Sequence, residues 1–167
     1  MEDNTYDLST APLDDATGAV VDPALVERAR QIALAAHDGQ TDKAGVPYIT
    51  HPARVAARVA GDPAAEIVAW LHDVVEDTGV TLDDLAAEFP PAIVAAVDAM
   101  TKRPSEDRDS YYRRVAADPL ALEVKHADLD DNSSPDRLAR LDEPTRTRLQ
   151  AKYAHARETL KPIVGPL

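Results

Sequence analysis

Apolar residues recur three and four positions apart along most of the chain, with charged and small polar residues between them. This spacing predicts helices over roughly 23–38, 52–60, 63–77, 82–88, 91–102, 107–117, 119–131, 135–140 and 144–160. Asp22-Pro23, Asp62-Pro63 and Asp118-Pro119 each pair a capping residue with a proline suited to a first helical turn. Gly39, Gly61 and Gly79 fall where helices should stop. No segment alternates as a strand does, though 46–50 has the look of a short extended piece. The expected fold class is all-α, a helical bundle with short loops. Residues 1–21 are polar, acidic and without period, which predicts a flexible N-terminal tail. Residues 22–167 form the expected domain.

Composition narrows the function. At 167 residues the chain is one domain with room for a core. Aromatic residues make up only 4%, so that core must be built from Ala, Val, Leu and Ile. A net charge of -12 argues against nucleic acid as a partner, since phosphate backbones need a basic surface. Without Cys there is no disulfide, thiolate metal site or cysteine nucleophile. No apolar run reaches membrane length, and no basic segment precedes an apolar one at the N-terminus. A cytoplasmic location and no membrane partner are therefore expected.

The most unusual stretch is Trp70-Leu71-His72-Asp73-Val74-Val75-Glu76-Asp77-Thr78. On one continuous helix, His72, Asp73, Glu76 and Asp77 share a face, opposite Ile67, Leu71, Val74 and Val75. No Lys or Arg lies between Arg58 and Lys102, so these carboxylates need a counter-charge from elsewhere. A divalent metal would supply it. His51 precedes Pro52, which predicts extended backbone at a helix start and suits either a capping residue or a metal ligand. Asp128 borders an apolar face and needs a partner, either Lys125 or a metal. Asn132 follows Asp128 by one turn, while Asp130 and Asp131 read as solvated or capping groups. His51, His72, Asp73 and Asp128 together make a sulfur-free set that suits Mn²⁺, Fe²⁺ or Zn²⁺, with Mn²⁺ favoured by its taste for oxygen and octahedral geometry.

Four stretches carry a resemblance: Ala36-His37-Asp38-Gly39-Gln40, Pro47-Tyr48-Ile49-Thr50-His51-Pro52, Leu71 to Thr78, and Val124 to Asp128 followed by Asn132. In them the chain resembles the HD-domain metal-dependent phosphohydrolases, whose ligands run H…HD…D. It is most similar to the hydrolase domain of RelA/SpoT-type alarmone enzymes and the stand-alone small alarmone hydrolases. The resemblance implies an HD-domain bundle and makes His51, His72, Asp73 and Asp128 the metal ligands. It makes Glu76 and Asp77 the acid/base pair at the attacking water, and Lys43 and Asn132 substrate-binding residues. The implied reaction removes the 3′-pyrophosphate of (p)ppGpp, and 167 residues leave no room for a synthetase or regulatory domain. Lys43, Arg54, Lys125 and Arg137 stand by position as sources of positive field. Lys152 and Tyr153 on the last helix are further neighbours of the site.

Two positions depart from the pattern. Asp42 stands where the alarmone hydrolases carry Arg, and Leu129 where they carry a second Arg. An Arg restored at 42 is expected to tighten ppGpp binding. The resemblance implies a small nucleotide as partner, and the departures keep a second substrate class open, such as NADPH-like molecules or nucleoside phosphates. The remaining alternative is a non-catalytic metal-binding module, which the retained Glu76 and Asp77 argue against.

Overall fold

A computed structural model describes residues 20–161. The expected tail lies outside them except for its last two residues, as do residues 162–167. Among the described residues ten helices follow one another: α1 (Ala24–Ala36), α2 (Thr50–Arg58), α3 (Pro63–Leu71), α4 (Val74–Asp77), α5 (Leu82–Ala86), α6 (Pro91–Met100), α7 (Arg108–Ala116), α8 (Pro119–Asn132), α9 (Pro135–Leu138) and α10 (Glu143–Thr159). No strand occurs among the described residues beyond one isolated bridge between Thr41 and Pro47. The fold is all-α, as the periodicity predicts. No described helix is long and apolar enough to cross a membrane.

Side-chain caps explain where the helices begin. Asp62 Oδ1 accepts from the Ala64 and Ala65 amides at 3.0 and 3.3 Å. Asp118 caps Ala121, Asp107 caps Ser110 and Asp142 caps Thr145 in the same way. Each bond satisfies an amide that the first helical turn leaves without a partner.

Helix α3 runs through the middle. Its Ala65, Ile67, Val68, Ala69 and Leu71 are all buried, and it packs against α1, α2, α6 and α8. Alanines at the contacts, among them Ala29, Ala33 and Ala69, let the backbones approach closely in a chain poor in aromatics. Helices α2, α3 and α8 all pack on one another, so residues facing inward from the three meet in one place.

Two expectations need correction. The helix expected over 63–77 is interrupted at His72-Asp73, between α3 and α4. The His72 imidazole takes the Ala69 carbonyl at 2.6 Å, competing with the backbone ladder, and Asp73 sits at φ -107, ψ -6. His51 is not extended but lies in the first turn of α2. The turn over Pro47–Thr50 feeds straight into that helix, with the His51 amide donating to the Tyr48 carbonyl at 2.9 Å. Pro52 fits there because first-turn amides have no helical acceptor anyway.

Candidate metal centre

His51 on α2, His72 at the end of α3 and Asp128 on α8 converge in the interior, all buried. One ligand atom from each lies within 4.8 Å of the other two. His51 Nε2 is 2.9 Å from Asp128 Oδ1, and His72 Nε2 is 3.6 Å from the same oxygen. Asp73 joins from the break after α3, with Oδ2 at 3.0 Å from His72 Nε2 and 3.8 Å from His51 Nε2. All four expected ligands therefore meet, although Asp73 stands to one side of the tight trio.

Hydrogen bonds on the outer side of each ring set the direction of its lone pair. A carbonyl can only accept, so His72 Nδ1 donates its proton to Ala69. That leaves Nε2 of the neutral ring as a bare lone pair. This atom is buried and has no hydrogen-bond partner. His51 Nδ1 likewise donates to Asp131 Oδ2 at 2.7 Å. Arg137 Nη1 approaches the same nitrogen at 3.0 Å, but its protons go to Asp131 Oδ2 at 2.9 Å and Asn132 Oδ1 at 2.7 Å. Both imidazoles thus present Nε2 to a point flanked by two carboxylates.

Electrostatics favours a cation at that point. Burial opposes charge on both histidines, yet the surrounding carboxylates raise both above the usual imidazole range: Asp128 and Asp131 for His51, Asp73 and Asp128 for His72. Burial likewise works against the Asp128 carboxylate, but Lys125 and the two rings hold it well below the usual range. The cluster draws positive charge inward, and a divalent ion would meet that demand. The orphaned His72 Nε2 and the N/O donor set fit such an ion.

The supports are dense. Lys125 Nζ lies 2.7 Å from Asp128 Oδ2 and 5.4 Å from the centre of the Tyr111 ring. Lys125 is thus the partner Asp128 was expected to need, and it leaves Oδ1 facing the imidazoles. Asn132 Nδ2 donates to Asp128 Oδ1 at 2.8 Å. Tyr48 donates its hydroxyl to Asp73 Oδ2, and burial followed by the Asp73 charge keeps that phenol protonated.

Glu76 and Asp77 lie on α4 at the solvent side of the cluster, and both are exposed. Partial desolvation and then the Asp73 charge raise both carboxyls above their ordinary range. Gln40 donates to the Asp77 carbonyl at 3.2 Å and accepts from His37 Nδ1 at 2.8 Å, which ties the Gly39-Gln40 turn to α4.

Beside the cluster opens a cavity of about 620 Å³, with Tyr48 and Asp128 in its wall. Seven Lys or Arg and four Asp line it, a cationic excess in a chain of net charge -12. Lys43 stands on its exposed rim and Asn132 in its wall. Burial and then the neighbouring cations Arg108, Lys125 and Lys43 push the Lys152 ammonium below its ordinary range. Tyr153 also lines the cavity.

One expectation about this neighbourhood is overturned. Asp131 is neither solvated nor a cap; it is 1% exposed and binds His51, Arg54 and Arg137. Its place three residues after Asp128, on the same helical face, is the signal that could have exposed it. Asp130 does face solvent, paired with Arg157 at 2.9 Å.

A family model described as an HD domain matches residues 29–119. The chain is 35% identical over 154 residues to a GTP pyrophosphokinase of Streptomyces coelicolor, covering 85% of this chain and 17% of that one. It is 34% identical over 159 residues to a guanosine-3′,5′-bis(diphosphate) 3′-pyrophosphohydrolase of Vibrio cholerae, covering 85% of this chain and 21% of that one. The chain thus spans about a fifth of the length of these curated relatives. A solved structure described as a metazoan ortholog of SpoT that hydrolyses ppGpp superposes with a TM-score of 0.71 at 24% identity, covering 86% of this chain and 89% of that one. The family model spans more than half of the sequence and takes in both histidines and Asp73 of the cluster, and the chain belongs to the HD-domain family.

Proposed function

We propose that this protein is a metal-dependent hydrolase that removes the 3′-pyrophosphate of guanosine tetra- or pentaphosphate, giving GDP or GTP and pyrophosphate. The observation that carries the reading is the buried His51–His72–Asp128 trio, with the half-buried Asp73 beside it, next to a cation-lined cavity that Asp128 helps to line. The activities for which its relatives are named suggest the substrate class.

An HD domain implies a divalent metal, and His51, His72 and Asp128 form the possible site. In this reading Asp73 completes the ligand set, and the ion is Mn²⁺, with Fe²⁺ or Zn²⁺ as alternatives. Such an ion supplies Lewis acidity toward the phosphoryl oxygens and makes water easier to deprotonate. The chain's own groups do the rest. Glu76 and Asp77 handle protons: one takes a proton from the attacking water, and the 3′ oxygen of the ribose gains one as its bond to phosphorus breaks. Their raised pKa values place them nearer working pH than ordinary carboxyls. Lys43 and Asn132 hold the nucleotide from the rim and wall of the cavity. In this reading the protein acts in the cytoplasm.

A second reading, hydrolysis of another phosphorylated nucleotide, is favoured by one observation. Asp42 and buried Leu129 line the cavity where the alarmone hydrolases place arginines. A screen of the Mn²⁺-loaded protein against ppGpp, NADPH and nucleoside phosphates, with product identification, separates the two readings.

A further inference from the structure

One wall of the cavity carries positive charge that the cluster does not consume. Asp131 is buried and already neutralised. Arg54 Nε donates to its Oδ1 at 2.8 Å and Arg137 Nη1 to its Oδ2 at 2.9 Å. Arg58 stands 4.0 Å from the same carboxylate, too far for a hydrogen bond. Arg140 lines the cavity three residues after Arg137, with no ion pair among the described residues. Arg54 and Arg58 are one turn apart on α2, a like-charge spacing that costs helix stability. Both are 41% exposed at the side chain and line the cavity. Three guanidinium groups, those of Arg54, Arg58 and Arg137, therefore stand within 4.0 Å of one carboxylate, Arg137 also faces Asp42 at 3.6 Å, and Arg140 adds a fourth to the cavity lining.

We infer that Arg58 and Arg140, backed by Arg54 and Arg137, form an anion subsite for a second phosphate-bearing group of the substrate, a diphosphate distinct from the one that is cleaved. The assignment rests on reading the chain as a hydrolase of a nucleotide phosphorylated at two positions. Guanidinium suits the role because its planar fork binds phosphate oxygens in pairs and never loses its charge. The cavity is within the usual range for small-molecule sites, about 300–1,000 Å³, so one ligand can touch the wall and the cluster together. The subsite lies one side chain from the metal centre, since Asp131 touches the arginines on one side and His51 on the other. The wall thus selects nucleotides carrying a 5′-diphosphate over those with phosphate only at the scissile end.

Calorimetric titration of GDP and guanosine into the metal-loaded protein tests the subsite without turnover. The wild type should bind GDP more tightly than guanosine. Arg58→Gln with Arg140→Gln should weaken GDP by about tenfold or more and leave guanosine unchanged, as expected for lost charged contacts. Arg30→Gln with Arg113→Gln removes the same charge outside the cavity and should leave GDP affinity at the wild-type value. Circular dichroism and metal content confirm that each variant is folded and loaded. Equal GDP affinity in the wild type and the Arg58/Arg140 variant overturns the subsite, as does equal loss in the control pair. Failure of the proposed reaction would show instead as absent ppGpp cleavage, a separate readout.

Discussion

Asp131 Oδ2 and His51 Nδ1 lie 2.7 Å apart, both buried, on helices eighty residues apart in sequence. That bond determines which nitrogen of His51 faces the cluster. A carboxylate behind a ligating imidazole fixes its tautomer and strengthens its basicity. Arg54 and Arg137 hold Asp131 in turn, so the metal centre and the arginine wall share one residue.

Asp131→Asn keeps the shape and removes the charge behind His51. Its metal affinity should fall by about ten- to a hundredfold while the helical content stays unchanged. Competition with a chelating dye reads the affinity. A wild-type value would show that Asp131 serves the arginines alone.

His72→Ala and Asp128→Ala should each abolish stoichiometric metal by elemental analysis. Wild-type protein should melt lower after chelation, because an ion at about 100 times its Kd adds about 2.7 kcal/mol to the folded state. The two variants should show little response to the chelator. Wild-type metal content in both would remove them from the ligand set.

Glu76→Gln and Asp77→Asn separate chemistry from binding. Neither side chain reaches into the buried trio, so both variants should keep their metal. Turnover should slow by about two to four orders of magnitude if proton transfer is lost. Unchanged rates in both would take the acid/base role away from α4.

Asp42 reverses an expectation drawn from the family pattern. Its Oδ1 accepts from the Ala44 and Val46 amides at 2.9 and 3.0 Å, and Oδ2 faces Arg137 at 3.6 Å. An arginine at 42 would lose the loop's hydrogen bonds and set a cation beside Arg137. Asp42→Arg should therefore weaken ppGpp binding instead of tightening it. A lower Kd for the variant would restore the family-based reading.

Glu106 gives a pH signature remote from the site. Hydrogen bonds from Arg114, at 2.8 Å for Nη2, hold its carboxyl down at about 2 against an ordinary 4.5. The folded-state value is depressed, so this contribution is complete above pH 4.5 and lost as pH falls toward 2. Urea unfolding should show Glu106→Gln less stable than wild type at pH 7, with the gap closing in acid. A gap that stays constant with pH would mean the pairing contributes nothing through charge.

Much of the fold was legible because its signals are local. Asp62-Pro63 and Asp118-Pro119 start helices through bonds that span two or three residues. The break at His72-Asp73 was hidden, because apolar spacing continues across it and the cause is one side chain taking the Ala69 carbonyl. Asp130 and Asp131 look alike in sequence. What separates them is the helical face: Asp131 shares that of Asp128, which α2 covers, and Asp130 does not. Tyr48 sat in a recognised block without a role until the fold brought it to Asp73.

A time course shows whether the 3′-pyrophosphate leaves as a unit. Mn²⁺-loaded protein is incubated with ppGpp, and GDP, pyrophosphate and free phosphate are quantified together. GDP and pyrophosphate should appear in equal amounts from the first time point, without free phosphate, and His72→Ala should give no products. Stepwise release of free phosphate, or intact ppGpp alongside hydrolysis of another nucleotide, would contradict the proposed reaction.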